Sequence, residues 1–116
     1  MIKRLHSNKR MSQIVIYNQV VHLAGQVDET AKGGSADEQT HNILNQIDAL
    51  LAEAGTNKSK LLTATIYMTN MNDFDLMNQA WEAWIDPANP PTRATVGVTA
   101  LAGDEFSVEI VVSAAV

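Results

Sequence analysis

The chain has 116 residues, of which 46% are hydrophobic and 18% are charged, and it contains no cysteine. A chain of this length is expected to fold as one domain around one core. The absence of cysteine excludes disulfides, thiolate catalysis and cysteine-ligated metal sites. The net charge of −5 disfavours a general nucleic-acid binder, because such a protein neutralises a row of phosphates with clustered Lys and Arg.

The first ten residues differ in charge from the rest of the chain. They carry four of the eight cations, Lys3, Arg4, Lys9 and Arg10. We interpret residues 1–10 as a solvated, flexible arm that precedes a domain over residues 11–116. The opening lacks the apolar stretch of a signal peptide, and no apolar run approaches the roughly 20 residues that cross a bilayer. We therefore expect a cytoplasmic protein with no membrane partner.

The first half of the domain predicts a hairpin, a loop and a helix. Residues 13–24 contain two β-branched runs separated by Asn18 and Gln19, which is typical of a hairpin. Residues 25–34 are predicted to form a loop. Ser35 and Glu38 have the spacing of a capping box, and Gly55 can end a helix in the left-handed conformation. The apolar positions of this helix follow helical spacing and are Ile43, Leu44, Ile47, Leu50, Leu51 and Ala54.

The second half of the domain predicts a strand, a helix and two more strands. Residues 62–69 alternate, and the second helix can begin at Asn72 or Asp73 and must end before Pro87. The apolar stripe of this helix comprises Phe74, Met77, Trp81, Trp84 and Ile85. The apolar sides of the three strands are expected to be Leu62, Ala64, Ile66 and Met68, then Ala94, Val96, Val98 and Ala100, then Val108, Ile110, Val112 and Ala114.

The element order β-β-α-β-α-β-β suggests an α+β fold with one sheet and both helices on a single face. The other sides of the strands are rich in Thr, Ser, Gly and Ala and carry few charges. A solvated sheet face normally carries Lys and Glu, so we expect a second subunit to cover this face.

Arg93 is the most conspicuous candidate for chemistry. It is the only cation in residues 61–116, whereas the same stretch contains seven acidic residues. On the small polar face of its strand, its guanidinium could grip a carboxylate through two parallel hydrogen bonds. Glu109 falls on a similar face of the last strand if the register allows, where it could hold a water or move a proton. The alternative is that Arg93 and Glu109 form an ion pair within or between subunits.

The other reactive side chains give weaker signals. His6, His22 and His41 have no ligand-like spacing, so surface or half-buried roles are favoured over a metal site. Gly33 and Gly34 belong to neither of the common phosphate-binding glycine motifs. No metal or organic cofactor is therefore expected.

Several segments resemble the RidA/YjgF family of reactive-intermediate imine deaminases. The segments PTRATVGV (91–98) and VEI (108–110) are similar to its C-terminal signature, and AGQV (24–27) is similar to its early turn. NDFDLMNQAWEAW (72–84) is similar to its second helix, and NKSKLLTATIYM (57–68) is closest to the YoaB-like branch. The likeness covers most of residues 11–116.

The resemblance implies a chorismate-mutase-like fold with one mixed sheet, and a homotrimer whose open sheet faces meet and leave clefts between neighbouring subunits. It also implies that Arg93 binds the substrate carboxylate and that Glu109 positions the attacking water and assists proton transfer. Asn78 and Gly25 match further positions of the family's site. Where the best-known members carry Tyr, Ser and Cys around the cleft, this chain has Met11, Ala24 and Thr95. Only Thr95 keeps a hydroxyl.

The expected reaction is hydrolysis of 2-imino or enamino acids, such as 2-iminopropanoate and 2-iminobutanoate, to 2-keto acids and ammonia. Arg93 and Glu109 would be the catalytic residues, and Arg93, Asn78, Thr95, Gly25, Ala24 and Met11 would bind the substrate. The alternative is a non-catalytic trimeric binding protein for small carboxylate metabolites, because Met11 and Ala24 lack polar groups. A chaperone or ribonuclease role and a chorismate-mutase-like activity have less support, since the acidic chain has no Lys/Arg stripe and the residues after Lys60 contain one cation.

Overall fold

The computed structural model describes residues 1–30 and 33–116, which contain six strands and two α-helices. The order β-β-α-β-α-β-β is confirmed, with one further strand before it. The strands are β1 (Lys3–Ser7), β2 (Ser12–Tyr17), β3 (Val20–Leu23), β4 (Leu61–Met68), β5 (Thr92–Gly97) and β6 (Val108–Ala115), and the helices are α1 (Ala36–Glu53) and α2 (Phe74–Trp84). Short 3-10 turns over Lys58–Lys60 and Met71–Asp73 precede β4 and α2.

The additional strand corrects the interpretation of the N-terminus. Residues 3–7, expected to be part of a flexible arm, form β1 and pair antiparallel with β2, with Leu5 opposite Ile14. Leu5 also packs against the core as a partly buried side chain. Lys3 and Arg4 made this segment look like a solvated arm. An edge strand needs only one inward apolar residue, because it is anchored mainly by its backbone hydrogen bonds.

The six strands form one mixed sheet in the order β1-β2-β3-β6-β4-β5. The β4–β5 pair is parallel and the other pairs are antiparallel. Both helices cover one face of this sheet, as predicted, and the core lies between them. Its fully buried members from the sheet and from the helices include Ile14, Val21, Ile43, Ile47, Ile66, Met77, Val108 and Ile110.

The turn and helix signals are confirmed in position but not in every contact. Asn18 and Gln19 adopt φ angles of 50° and 65° between β2 and β3, as a tight hairpin turn requires. Gly55 ends α1 with a φ of 85°.

The predicted capping box is wrong: Ser35 is the N-cap of α1 but its side chain makes no cap hydrogen bond. It bonds the Asp37 carboxylate instead, which lowers the pKa of Asp37. Of the predicted loop 25–34, residues 31 and 32 lie outside the described residues.

One predicted strand face is wrong because of a β-bulge. The pairing of β4 with β6 shifts between Leu61 and Thr63, so Leu61 is buried and Leu62 is 43% exposed. A bulge inserts one residue and thereby exchanges the two faces of the strand on one side of it. Beyond the bulge, Ala64, Ile66 and Met68 are buried as expected.

The second face of the sheet, here called the open face, carries no helix. It bears the small residues that were expected, including Thr63 and Ser113, whose hydroxyls lie 2.6 Å apart across β4 and β6. It also bears exposed apolar side chains such as Tyr17 and Val96. Within the part of the chain that the structure describes, no helix is both long and apolar enough to cross a membrane.

Candidate functional site

Arg93 lies on β5, at the edge of the sheet, and faces the helices. The parallel register places Arg93 beside Ala64 and Thr95 beside Ile66, and both of these β4 residues are buried beneath the helices. Neighbouring residues in paired strands point to the same face. The prediction that Arg93 lies on the small polar face of the sheet is therefore wrong, and Ala94 and Val96 take the open face instead.

The Arg93 guanidinium is held by a neutral partner and by aromatic rings. Its Nη1 donates a hydrogen bond of 2.6 Å to Oδ1 of Asn78 on α2. Its Cζ lies 5.5 Å from the centre of the Trp81 ring and 6.0 Å from that of Phe74. Within residues 1–30 and 33–116, no carboxylate lies within 4.0 Å of this guanidinium. An amide oxygen positions the cation without cancelling its charge, so Arg93 keeps its full attraction for an anion.

Thr95 lies two residues beyond Arg93 on the same side of β5. Its hydroxyl oxygen is buried and has no hydrogen-bond partner among the described residues. A buried hydroxyl without a partner loses its hydration and gains nothing in return, which costs about 1 to 3 kcal/mol. Such a group beside an unpaired guanidinium is the arrangement expected where a polar ligand completes the hydrogen bonds.

Glu109 lies on β6 and faces the opposite way, toward the open face. Its register partner on β4 is Tyr67, whereas the next residue, Ile110, pairs with Ile66 in the core. The Glu109 carboxylate lies against the backbone of Gly25, where an added Cβ would overlap it. No group in the described part of the chain donates a hydrogen bond to this carboxylate. Gly25 thus acts by leaving room for Glu109.

The loop that carries Gly25 is fixed by side-chain amides. Gln26 forms a two-way backbone bridge with Ile110, its N–H donating at 2.9 Å and its carbonyl accepting at 3.0 Å. Its Nε2 donates to Oε1 of Gln13 at 2.8 Å and to the carbonyl of Ala24 at 3.0 Å. Gln46 on α1 donates to the Val27 carbonyl at 2.9 Å. These contacts bind the turn to both β6 and α1 and so fix the position of Gly25 relative to Glu109.

A buried acid completes this loop. Asp28 is fully buried, and its carboxylate accepts hydrogen bonds from the backbone and hydroxyl of Thr30, each 2.8 Å, and from Asn42 at 2.9 Å. Sequence reasoning missed both Gln26 and Asp28 as contributors to the site. The available signals were the polar run after β3 and the similarity of AGQV (24–27) to the family's early turn. Neither reveals that these side chains turn inward.

Met11 and Ala24 lie near the Glu109 side of the molecule. Met11 precedes β2 and is 38% exposed, and its sulfur lies 4.0 Å from Nε2 of Gln13. Ala24 donates its N–H to the Gln13 carbonyl at 2.9 Å. A cavity of about 370 Å³ borders this region, and its lining, within the described residues, contains no Lys or Arg that could hold an anion.

The predicted site residues therefore form two groups. Arg93, Asn78 and Thr95, here called the arginine group, lie between β5 and α2. Glu109, Gly25, Ala24 and Met11, here called the glutamate group, lie near the open face. Strand β4 separates β5 from β6, and Arg93 is level with Ala64 of β4 whereas Glu109 is level with Tyr67, three residues further along. Arg93 and Glu109 are therefore on opposite faces, with their Cα atoms about 14 Å apart. The alternative of an ion pair between them within one chain is wrong.

The histidines and acids offer no metal site in the described residues. Within residues 1–30 and 33–116, no three His, Asp or Glu side chains come close enough together to share an ion. His6 contacts the Glu53 carboxylate at the C-terminal end of α1.

Comparison with known proteins gives consistent matches over the whole chain. The family model described as Endoribonuclease L-PSP matches residues 1–116. A RutC family protein from Haemophilus influenzae is 44% identical over 113 residues, which are 97% of each chain. The RutC family protein YoaB from Escherichia coli is 43% identical over 115 residues, covering 99% of this chain and 98% of that one.

The solved structures agree with these matches. A crystal structure of a YjgF family member from Neisseria meningitidis superposes with a TM-score of 0.94 at 38% identity, covering 99% of this chain and 94% of that one. A putative translation initiation inhibitor from Salmonella typhimurium gives a TM-score of 0.89 at 41% identity, covering 99% and 97%. With the fold and the full-length sequence matches in agreement, the chain belongs to the RidA/YjgF (RutC) family and to its YoaB-like members.

Proposed function

We propose that this protein is a homotrimeric hydrolase that deaminates reactive 2-imino and enamino acids to 2-keto acids and ammonia. The observation that carries the proposal is the state of Arg93: a guanidinium held by the Asn78 amide and two aromatic rings, with no carboxylate of the described residues beside it. The unpaired hydroxyl of Thr95 lies on the same side of β5.

The arginine group suits a small carboxylate. A guanidinium offers five N–H donors in a fixed plane, and the Asn78 bond occupies one of them at Nη1. The remaining donors can form two parallel hydrogen bonds with a carboxylate, and Thr95 can add a third to the atom beside it. Partial burial strengthens each of these interactions relative to water.

The two groups can act on one substrate only if they come from different copies of the chain. Within one copy, Arg93 and Glu109 lie on opposite faces of the sheet, so a three- or four-carbon acid cannot reach both. The open face carries exposed apolar side chains such as Tyr17 and Val96, which a subunit interface would bury. The proposed trimer brings the arginine group of one copy to the glutamate group of its neighbour in each of three clefts.

The proposed chemistry needs one water and one proton-handling group. Arg93 fixes the substrate carboxylate, so that the neighbouring C=N carbon is placed within the cleft. Glu109 takes a proton from a water as its oxygen adds to that carbon, and the proton passes to the nitrogen. In the resulting carbinolamine the hydroxyl proton passes to the amino group with the help of Glu109. The C–N bond then breaks, so that ammonia leaves as the C=O of the keto acid forms. Orientation and one acid–base group suffice, because such imines also hydrolyse unaided.

A second candidate function is carboxylate binding without turnover. It is favoured by Met11 and Ala24, which carry no polar side-chain group where the best-known family members have Tyr and Ser. In this case Arg93 would hold the metabolite, but no water would be activated.

The experiment measures ammonia release from enzymatically generated 2-iminopropanoate with wild type, Arg93→Ala and Glu109→Gln. We expect wild type to accelerate release, Arg93→Ala to abolish ligand binding and acceleration, and Glu109→Gln to bind 2-oxobutanoate while losing acceleration. Lys60→Ala is the matched control, because it removes an exposed cation outside both groups.

Each outcome separates the candidates. Binding of 2-oxobutanoate by wild type without acceleration supports the binding protein and contradicts the hydrolase. Acceleration that survives in Arg93→Ala contradicts both, as does a monomer in analytical ultracentrifugation that is nevertheless active.

A further inference from the structure

Trp81 is the largest side chain in contact with Arg93. It lies on α2, is 6% exposed, and the centre of its ring is 5.5 Å from Cζ of Arg93. The ring of Trp84, one helical turn later, packs against it at a centroid distance of 5.5 Å and an angle of 54°. Trp84 is fixed in turn, since its Nε1 donates a hydrogen bond of 2.9 Å to Oδ2 of Asp48 on α1. The rings thus form a rigid support that runs from α1 to the guanidinium.

The guanidinium needs such a support to form two parallel hydrogen bonds with one carboxylate. An unrestrained Arg side chain samples many rotamers, and ordering it on binding costs conformational entropy. The bond to Asn78 fixes one nitrogen but leaves rotation about the axis through that bond. The Trp81 ring beside the guanidinium restricts this rotation, through its bulk and through the attraction between the cation and the ring face.

We propose that Trp81 is a positioning residue, which sets the plane of the Arg93 guanidinium so that its free donors meet both oxygens of the substrate carboxylate. This inference rests on the proposed carboxylate binding at Arg93. Trp81 touches Arg93 and not the reacting atoms, so its removal affects capture of the carboxylate more than the water attack that Glu109 assists.

The test compares Trp81→Leu, which removes the ring, with Trp81→Phe, which keeps an aromatic face. Binding of 2-oxobutanoate is measured by calorimetry, and kcat and KM are measured with 2-iminopropanoate. We expect Trp81→Leu to raise both Kd and KM about 5- to 10-fold, the size that a ring–cation contact supports. Trp81→Phe should stay within about twofold of wild type.

A purely structural role is distinguished by a core variant far from Arg93. Ile47→Ala removes a fully buried side chain of α1 and is chosen to destabilise the fold. Destabilisation lowers the fraction of active protein, and hence the apparent kcat, while Kd and KM per folded site stay unchanged. If Trp81→Leu behaves like Ile47→Ala in this respect, the positioning role is wrong.

The inference and the proposed function fail in different ways. If wild type binds 2-oxobutanoate and loses it in Arg93→Ala, but Trp81→Leu leaves Kd and KM unchanged, only the inference is overturned. The same holds if Trp81→Phe is as impaired as Trp81→Leu, because the aromatic face would then be irrelevant. If wild type does not bind the keto acid at all, the carboxylate site itself is overturned.

Discussion

The arginine group and the glutamate group are built on different physical principles. Arg93 is held by attractive contacts, namely a hydrogen bond from Nη1 to the Asn78 amide and the faces of Trp81 and Phe74. The Glu109 carboxylate instead occupies the space that a side chain on residue 25 would fill, and this space exists because residue 25 is a glycine. The cation is fixed in direction, whereas none of the described residues donates a hydrogen bond to the acid.

This difference suits the roles that we propose. A residue that grips a carboxylate gains from a fixed orientation, since fewer rotamers are lost on binding. A residue that moves a proton must approach first the water and then the nitrogen, so freedom at its carboxylate is useful. The two groups should therefore respond differently to substitution.

The largest effect is expected from Gly25→Ala. The added Cβ overlaps the flexible end of Glu109 and not its backbone, so the fold can survive while the carboxylate moves away. We expect kcat/KM for 2-iminopropanoate to fall about 100-fold, as for loss of a general base, with binding of 2-oxobutanoate nearly unchanged. In a Glu109→Ala background, Gly25→Ala should lower kcat/KM little further, because the carboxylate that it displaces is already absent. Additive losses in the double variant would refute the explanation.

The next largest effect is expected from Asn78→Asp. This change replaces the neutral partner of Arg93 with a carboxylate of nearly the same shape, so the cation is neutralised within its own chain. We expect Kd for 2-oxobutanoate to rise about tenfold, because an anion now competes with and repels the ligand, while the fold is retained. Asn45→Asp adds the same charge at an exposed position of α1 and should have no such effect. Equal affinity in Asn78→Asp and wild type would show that the charge of Arg93 is not used.

Thr95→Val should have opposite effects on stability and on binding. The substitution replaces a buried, unpaired hydroxyl with a methyl group, so the free energy of unfolding should rise by about 1 kcal/mol in urea denaturation. Binding of 2-oxobutanoate should weaken about threefold if the hydroxyl donates to the ligand. Thr99→Val, at an exposed position beyond β5, serves as control. A loss of stability in Thr95→Val would mean that the hydroxyl has a partner after all.

The smallest effect is expected in the turn that leads into β5. The side chain of Asn89 and the backbone N–H of Ala88 bond the Asp86 carboxylate, each at 3.0 Å, and they lower its pKa below the ordinary value of 3.8. A lowered pKa stabilises the fold above the unfolded value, and this contribution is lost as the pH falls through the folded value. The stability difference between wild type and Asp86→Ala should therefore be constant near neutral pH and shrink below about pH 4. A difference that grows with acidification would contradict the assignment.

Local patterns predicted most elements of this fold. The hairpin at Asn18 and Gln19, the start of α1 after Ser35 and its end at Gly55 depend on neighbouring residues only, and all three are confirmed in position. The burial of β6 also followed from its alternation, because its two sides differ clearly in size and polarity. Where one side of a segment is plainly more apolar, the sequence decides which side is buried.

The sequence did not predict the buried side of a strand correctly where the two sides differ little in polarity. In β5 the pairs Ala94 with Val96 and Arg93 with Thr95 suggested that the first pair faces the helices, and the register with β4 shows the reverse. The long stem of Arg93 can pack on the aromatic rings of α2 at the edge of the sheet, so an arginine is tolerated on the covered side. For Leu62, a single bulge reversed the expected face.

By itself, the sequence determined the order of the elements after β1, one sheet with a helix-covered face, and the residues that merit attention, chief among them Arg93 and Glu109. Only the tertiary structure decided that these two residues lie on opposite faces, that Asn78 rather than an acid holds the guanidinium, and that Gly25 makes room for a carboxylate. The physical reason is that a strand has two chemically permitted faces, and the choice between them is made by the register with its neighbours, which are distant in sequence.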